Sequence, residues 1–195
     1  MSATGQVRRG QIVMAAIAVV AEVGLAKASF ARIAERAGVA STRMISYHFA
    51  DRDDLLRAVV STVFADAGHA IEKYLLPEQT PAEQLRALIT GNIRYVAEHR
   101  RQIAAVNEIW YAHRDRDGAR VYGYAAHELE YAVVAQIFSA GQDAGQFRAF
   151  DTRAMAIMLR HALNGAAELL LAEPDIDVDA LVAEVSAAFV GATAP

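Results

Sequence analysis

Apolar residues recur three and four positions apart along most of the 195-residue chain. This spacing places them on one face of a helix, whereas the alternation that is typical of half-buried strands does not stand out. The four prolines stand at positions 77, 81, 174 and 195, at the ends of the periodic stretches or near the end of the chain, where proline does not interrupt a helix. The pattern predicts an all-α protein of about nine helices.

Capping residues predict where the helices begin and end. Ser29, Asp51 and Asp151 are expected N-caps, while Gly24 and Gly38 are expected to end helices. The predicted bounds of the first four helices are about Val7–Val23, Ser29–Ala37, Ser41–His48 and Asp51–Leu76. For the others we predict a fifth from Pro81, a sixth over Arg101–His113, a seventh ending near Ala140, an eighth from Asp151 to Glu173 and a ninth over Asp179–Val190.

Charge is distributed unevenly along the chain. Residues 1–60 contain eight Lys and Arg and five Asp and Glu, whereas the rest of the chain is acidic and the whole carries a formal charge of −4. A basic N-terminal segment attracts phosphates, and an acidic remainder repels them. We therefore expect a head at residues 1–50 and a body at residues 51–195. The chain contains no cysteine, which excludes a disulfide-stabilised secreted scaffold.

Residues 30–39, Phe-Ala-Arg-Ile-Ala-Glu-Arg-Ala-Gly-Val, have the features of a helix-turn-helix. Ala34 is small at the position where two crossing helices touch, and Gly38, four positions later, tolerates the positive φ of the turn. Ile33 and Val39 would help to hold the second helix across the first, together with Met44 or Ile45. An ordinary αα-corner shares most of these features, so this segment alone leaves both interpretations open.

The run Ser-Tyr-His-Phe-Ala-Asp-Arg-Asp-Asp-Leu-Leu at residues 46–56 strongly resembles the signature that closes the DNA-binding domain of the tetracycline-repressor (TetR) family. The resemblance covers residues 8–60 well and continues weakly through residues 141–147 and Gly165. It implies a three-helix helix-turn-helix head on a helical body that dimerises and senses a small molecule. The nine-helix plan of that family also matches the predicted number of helices.

The resemblance also implies DNA-contacting residues. Arg8 and Arg9 resemble a basic N-terminal arm, and Ser29 would cap the second helix and touch phosphate. Tyr47 matches an aromatic position that contacts phosphate or a thymine methyl group, and Arg52 matches a basic residue that grips the DNA backbone. Ser46 is a further candidate, and His48 would either touch DNA or pack between helices.

This chain departs from the common family pattern at the tip of the recognition helix. Gly38 to Phe49 spans twelve residues instead of eleven, and Ser46 stands where many members have tyrosine. Arg43 is our first candidate for a base contact, because arginine pairs bidentately with guanine, although a phosphate contact fits it equally well. Ser41 and Thr42 are weaker candidates for base contacts.

Resemblance to the family also implies a ligand cavity in the body, lined by polar and aromatic side chains that interrupt apolar stretches. Each of these residues could instead be an ordinary core or surface residue with a local partner. The candidate ligand-binding residues are Phe64, Tyr95, Asn107, Trp110, Tyr111, His127, Tyr131 and His161.

Apolar and small residues at helical spacing in the last two helices predict a homodimer interface built as a four-helix bundle. Packing within one chain is the alternative. The candidate interface residues are Ala154, Ile157, Met158, His161, Gly165, Leu181, Val185 and Phe189.

These observations predict a cytoplasmic repressor that binds a near-palindromic operator in double-stranded DNA as a homodimer and is released by a small hydrophobic or aromatic effector. A helix-turn-helix regulator without a ligand is the second interpretation, and an all-α enzyme is the third. We find no motif for a cofactor or a metal, and we expect no membrane association. The sequence does not identify the operator or the effector, and it does not distinguish a repressor from an activator.

Overall fold

The computed structural model describes residues 3–122 and 127–195, and these residues form nine α-helices and one 3₁₀ turn. The all-α prediction is confirmed. None of the helices in the described ranges is long and apolar enough to cross a membrane. The helices are α1 (Ala3–Val23), α2 (Phe30–Arg36), α3 (Thr42–His48), α4 (Arg52–Glu72), α5 (Pro81–Glu98), α6 (Arg100–Ala112), α7 (Glu128–Asp143), α8 (Thr152–Ala172) and α9 (Val178–Thr193).

Side-chain caps begin several of these helices, because the first backbone N–H groups of a helix have no partner within it. The Ser29 hydroxyl accepts a hydrogen bond from the amide of Arg32, and the Asp151 carboxylate accepts one from Ala154. A capping box between Thr80 and Glu83 begins α5, a signal that our sequence analysis did not single out.

Several boundaries differ from prediction, and α7 and α9 each end three residues later than predicted, at Asp143 and Thr193. Helix α1 begins at Ala3, four residues early, and α9 begins at Val178 because Asp177 caps it. Helix α4 ends at Glu72 rather than Leu76, since the next amides bond to carbonyls only three residues back, Tyr74 to Ile71 at 2.9 Å and Leu75 to Glu72 at 3.1 Å. The predicted seventh helix follows the loop at residues 114–118. Residues 119–122 are not helical, residues 123–126 lie outside the described residues, and the helix is described from Glu128 onwards.

The chain forms two compact units, and the first comprises Met1–Asp66 and Arg101–Tyr122. Its core joins α1, α2 and α3 to the first part of α4 and to α6. Ile12, Ile45, Leu55 and Ile109 are all fully buried there. The predicted boundary after residue 50 follows the end of the helix-turn-helix. Packing adds most of α4, up to Asp66, and nearly all of α6 to the first unit.

The second unit comprises Ala67–Arg100 and Gly123–Pro195. In it, α5 packs against α7, α8 and α9, and α7 packs against α8. Burial is unequal among these helices: α5 and α8 bury a full stripe of apolar residues, whereas only Thr193 is buried in α9. Because the apolar residues of α9 remain at least partly exposed, the second unit has an uncovered apolar surface.

Candidate nucleic-acid interface and its supporting unit

The turn between α2 and α3 has the geometry that the sequence predicts for a helix-turn-helix. Gly38 has a φ of 63°, a left-handed value that glycine adopts without steric cost. The amide of Val39 donates to the carbonyl of Ala34 at 3.0 Å and closes the end of α2. Ala34 and Ile45 are buried between the helices, while Met44 is 38% exposed. Ile45 is therefore the residue of α3 that anchors the motif.

One face of α3 is fully presented to solvent. Arg43, Ser46 and Tyr47 are exposed at positions one turn apart, while Ile45 and Phe49 are buried on the opposite side. Tyr47 is 82% exposed, which is unusual for a large aromatic side chain unless it meets a partner. This face has the residue types that read base edges and contact phosphates.

The remaining candidates in α3 surround this face. Ser41 occupies the N-cap position without a side-chain capping bond, and Thr42 follows it at an exposed position. The hydroxyl of Ser46 donates to the Thr42 carbonyl at a long 3.5 Å. The His48 ring stands edge-on to Tyr47 with 5.1 Å between ring centroids, so His48 supports the tyrosine whether or not it also touches DNA.

The basic candidates outside α3 are held at defined positions. The Arg9 guanidinium lies 4.5 Å from the centroid of the Phe49 ring, a cation–π contact that places this charge at the end of α3. Arg8 donates to the side chain of Gln11 at 2.9 Å. Arg52 donates to the carbonyl of Leu25 in the 3₁₀ turn Leu25–Lys27.

The loop from α3 to α4 is closed by reciprocal hydrogen bonds. The amide of Asp54 donates to the Asp51 carboxylate at 2.8 Å, and the amide of Ala50 donates to the Asp54 carboxylate at 3.0 Å. The predicted role of Asp51 at the start of α4 is borne out by this geometry. The loop fixes Arg52 relative to the end of α3.

Four of the eight candidate ligand residues lie in the first unit. Phe64 meets Trp110 edge to face at 5.6 Å, and Tyr122 stacks on Trp110 at 4.9 Å. Asn107 is half-buried one turn earlier on α6, while Tyr111 is 49% exposed. Burial raises the pKa of Tyr122. Sequence analysis did not identify Tyr122, because no local pattern brings residue 122 back onto α6.

The other four lie in the second unit. Tyr95 is buried and stacks on His99, while Tyr131 is buried with its ring 5.8 Å from that of His127. His161, in contrast, is exposed on α8. This exposure suits an interface residue better than a cavity residue.

A partly buried charge cluster at the start of α7 was also missed by sequence analysis. One Glu130 carboxylate oxygen lies 3.2 Å from Nδ1 of His127 and 3.1 Å from Nε of Arg160. Burial opposes ionisation of Glu130, but the hydrogen bond from His127 and the charge of Arg160 outweigh it and lower the pKa of this carboxyl group. Glu130 is therefore a fixed, partly buried negative charge of the second unit.

A cavity of about 270 Å³, partly open to solvent, lies in the first unit. Ala26 of the 3₁₀ turn, Arg52 and Asp53 of α4, and Ala112 of α6 line it with Leu25, His113 and Arg114. His113 is 5% exposed, and its Nε2 lies 3.5 Å from the Asp53 carboxylate. Sequence analysis predicted neither the cavity nor the approach of these side chains.

The predicted interface residues of α8 and α9 are all at least partly exposed in the single chain. Met158 is 52% exposed, and a side chain added at Gly165 would meet no atom within 4 Å. Ala154 and His161 are exposed as well, and Ile157 is half-buried. On α9, Leu181, Val185 and Phe189 are half-buried in the single chain.

An exposed polar and aromatic face on the second helix of a helix-turn-helix is typical of DNA-binding regulators. Two family models match the chain: one described as bacterial regulatory proteins of the tetR family over residues 12–59, and one described as the tetracyclin repressor-like C-terminal domain over residues 78–168. The chain belongs to the TetR family of bacterial transcriptional regulators. The predicted family is confirmed, and the interpretation of the chain as an all-α enzyme is wrong.

Individual relatives agree with this assignment. The HTH-type transcriptional regulator BetI of Serratia proteamaculans is 40% identical over 88 residues, which cover 44% of this chain and 44% of the relative. The fatty acid degradation regulator FadR from Bacillus halodurans has a TM-score of 0.78 at 22% identity, over 94% of this chain and 95% of its own. A TetR-like regulator from Rhodococcus sp. RHA1 has a TM-score of 0.75 at 22% identity, over 95% and 94% of the two chains. The structural matches establish the fold, and the matched stretch of BetI spans less than half of that relative's length.

Proposed function

We propose that this protein is a ligand-responsive transcriptional repressor that acts in the cytoplasm and binds a near-palindromic operator as a homodimer. The observation that carries the proposal is the solvent-facing side of α3, where Arg43 and Tyr47 are exposed, with the Arg9 guanidinium held against Phe49 at the end of the same helix. A recognition helix of this kind lies in the major groove, with basic residues beside it on the phosphates.

The uncovered apolar residues of α8 and α9 support a dimer. Met158 and Gly165 share the outer face of α8, and a helix with a small residue there can approach a second helix closely. Two copies of this surface would form a four-helix bundle. A dimer presents two recognition helices, and this requires an operator with two half-sites on one face of the duplex.

The aromatic cluster on α6 supports an effector in the first unit. Trp110 lies between Phe64 and Tyr122, with Asn107 one turn before it on the same helix. Aromatic side chains with a polar group nearby are the residue types that bind small hydrophobic or aromatic molecules. The effector would act by favouring a form of the protein that does not fit the operator.

A signal from such a site need not travel through α4 alone, because nearly all of α6 shares a core with the helix-turn-helix. A molecule bound against α6 would therefore act on a helix that is part of the same compact unit as α2 and α3.

The test begins with the promoters of the protein's own gene and its neighbours. Anisotropy titrations at physiological salt should show at least about a thousandfold preference for one promoter over random DNA. Equal affinity for the promoter and for random DNA would refute the proposal that the protein is a sequence-specific repressor. A screen of hydrophobic metabolites against the complex should then yield compounds that release the DNA, whereas a regulator without a ligand would yield none.

A further inference from the structure

We propose that Glu108 of α6 is a positioning residue for DNA binding, and that it acts through Leu25 on the phosphate-contacting Arg52. This inference rests on the proposed function, since it assigns Arg52 to the operator backbone. It adds a residue outside the helix-turn-helix, and a route by which α6 controls operator affinity.

The geometry centres on the backbone of Leu25. Its amide donates to Oε2 of Glu108 at 3.2 Å, across 83 positions of sequence. Its carbonyl accepts a hydrogen bond from the guanidinium of Arg52, 27 positions away. One residue of the turn between α1 and α2 is thus held from one side by α6 and from the other by α4.

The local conformation explains why this turn needs support. Gly24 has a φ of 76°, and Leu25–Lys27 form a single 3₁₀ turn closed by a long 3.3 Å bond from Ala28 to Leu25. A turn of this length has few bonds of its own. The Glu108 carboxylate satisfies an amide at the start of the turn, where a 3₁₀ or α-helix leaves its donors without partners.

The same contacts set the direction of Arg52. A guanidinium has five N–H donors, so a bond to the Leu25 carbonyl orients its plane and leaves other donors for a phosphate. If the Glu108 contact is lost, the turn keeps only the burial of the Leu25 side chain and the long bond from Ala28 to hold the Leu25 carbonyl. A shift of that carbonyl moves the guanidinium with it. Glu108 therefore influences a DNA contact that it does not itself make.

This arrangement also gives α6 a means of regulation. Asn107 and Trp110, our candidate effector contacts, lie on either side of Glu108 in the same helix. A displacement of α6 that accommodates an effector would move the Glu108 carboxylate away from the Leu25 amide. The 3.2 Å hydrogen bond has little room for such a displacement before it breaks.

The test is a double-mutant cycle on operator affinity. Glu108→Met removes the acceptor and keeps the length of the side chain, and we expect it to weaken operator binding about three- to tenfold and to lower the salt slope by about one. In an Arg52→Ala background the same change should have less than about a twofold effect. Additive losses in the two backgrounds would overturn the proposal, as would full affinity in the single variant.

Two controls separate positioning from general folding. Glu108→Gln retains an oxygen acceptor and should restore most of the affinity, whereas Asp66→Ala removes a negative charge from an exposed site of the same unit and should leave the affinity unchanged. Should Glu108→Met fail to fold, hydrogen exchange of the Leu25 amide in the wild-type protein gives a second measurement. Slower exchange in the operator complex supports the proposal, and equal exchange refutes it. If the wild-type protein binds no operator, the proposed function itself has failed.

Discussion

The Phe147 ring packs directly on Gly141, so a Cβ atom at position 141 would overlap that ring. Gly141 lies near the end of α7, and its carbonyl accepts hydrogen bonds from the amides of Gln146 at 2.9 Å and Phe147 at 3.0 Å. Phe147 is 5% exposed and meets Phe138 edge to face. As it is packed here, the turn from α7 towards α8 therefore leaves no room for a side chain at residue 141.

We expect Gly141→Ala to lower the free energy of unfolding by about 1–3 kcal/mol, because the ring or the backbone must move. Gly68→Ala is a matched control, since Gly68 lies within α4 and an added Cβ would meet nothing within 4 Å. That change should raise stability by roughly 0.5–1 kcal/mol through helix propensity. Urea denaturation checks both, and a Gly141→Ala protein as stable as the wild type would contradict the packing.

The parts of the fold that the sequence predicts are those with local causes. Ser29 and Asp151 are caps because their side chains reach amides three residues ahead, and Gly38 ends α2 because glycine accepts the positive φ that the turn requires. The exposed face of α3 follows from the helical period once the signature at residues 46–56 sets the register.

The parts that escaped prediction depend on contacts between distant positions. Glu130 and Arg160 are 30 residues apart, and the Leu25 amide finds Glu108 across 83 residues. No spacing rule along one chain links such pairs. The inclusion of α6 in the first unit has the same origin, because tertiary packing decides which helix covers the core of the head.

The α3 face makes a prediction that separates base contacts from phosphate contacts. Arg43→Ala should cost about 1–3 kcal/mol of binding, mainly at one base position of each half-site. Tyr47→Ala and Arg52→Ala should weaken binding to all sequences and reduce its salt dependence. Titrations against operators with single base changes check this, with Arg86→Ala on α5 as the control for lost positive charge.

The outcome for Arg43 also sets the register of the recognition helix. If Arg43→Ala weakens all operators evenly, Arg43 contacts phosphate, and the base contact moves to Ser41 or Thr42. Loss of affinity in Arg86→Ala of the same size as in Arg52→Ala would instead show that overall charge, and not position, determines binding.

His113 makes a prediction about pH. Burial lowers its pKa, and the charges of Arg52, Arg57 and Arg114 act in the same direction, while Asp53 opposes them. Because the folded pKa lies below the ordinary value of about 6.5, the unfolded chain binds more protons between these two values. The contribution that neutral His113 makes to the stability of the fold is therefore fully present above pH 6.5. It is lost as the pH falls from 6.5 through the lower pKa of the folded state.

We expect the melting temperature of the wild-type protein to fall more between pH 7.5 and pH 5.5 than that of His113→Gln, which cannot titrate at this site. Differential scanning fluorimetry at matched ionic strength checks this difference. Equal decreases in the two proteins would show that His113 is not the group responsible, and a smaller decrease in the wild type would contradict the direction of the pKa shift.

The outer face of α8 makes a prediction about assembly. Met158→Asp and Gly165→Leu should each shift the protein towards monomer and abolish operator binding, because a buried charge or a bulky side chain prevents close helix approach. Leu129→Asp is the control, since Leu129 is 80% exposed on α7 rather than α8. Analytical ultracentrifugation checks all three, and a monomeric Leu129→Asp would move the interface to α7.

The α6 cluster makes the last prediction. If the effector binds beside Trp110, Asn107→Trp should occupy its site, abolish release from the operator and leave DNA affinity unchanged. Gln136→Trp, at an exposed position of α7, is the matched control and should keep the response.

The coupling between effector and operator can be measured directly. A difference of ~2–3 kcal/mol in effector affinity between the operator-binding form and the released form lowers DNA affinity about 30- to 150-fold. Because this coupling is reciprocal, operator DNA must weaken effector binding by the same factor, and calorimetry with and without the operator measures it. A compound that binds against α6 equally well in both titrations would locate the site and refute the coupling.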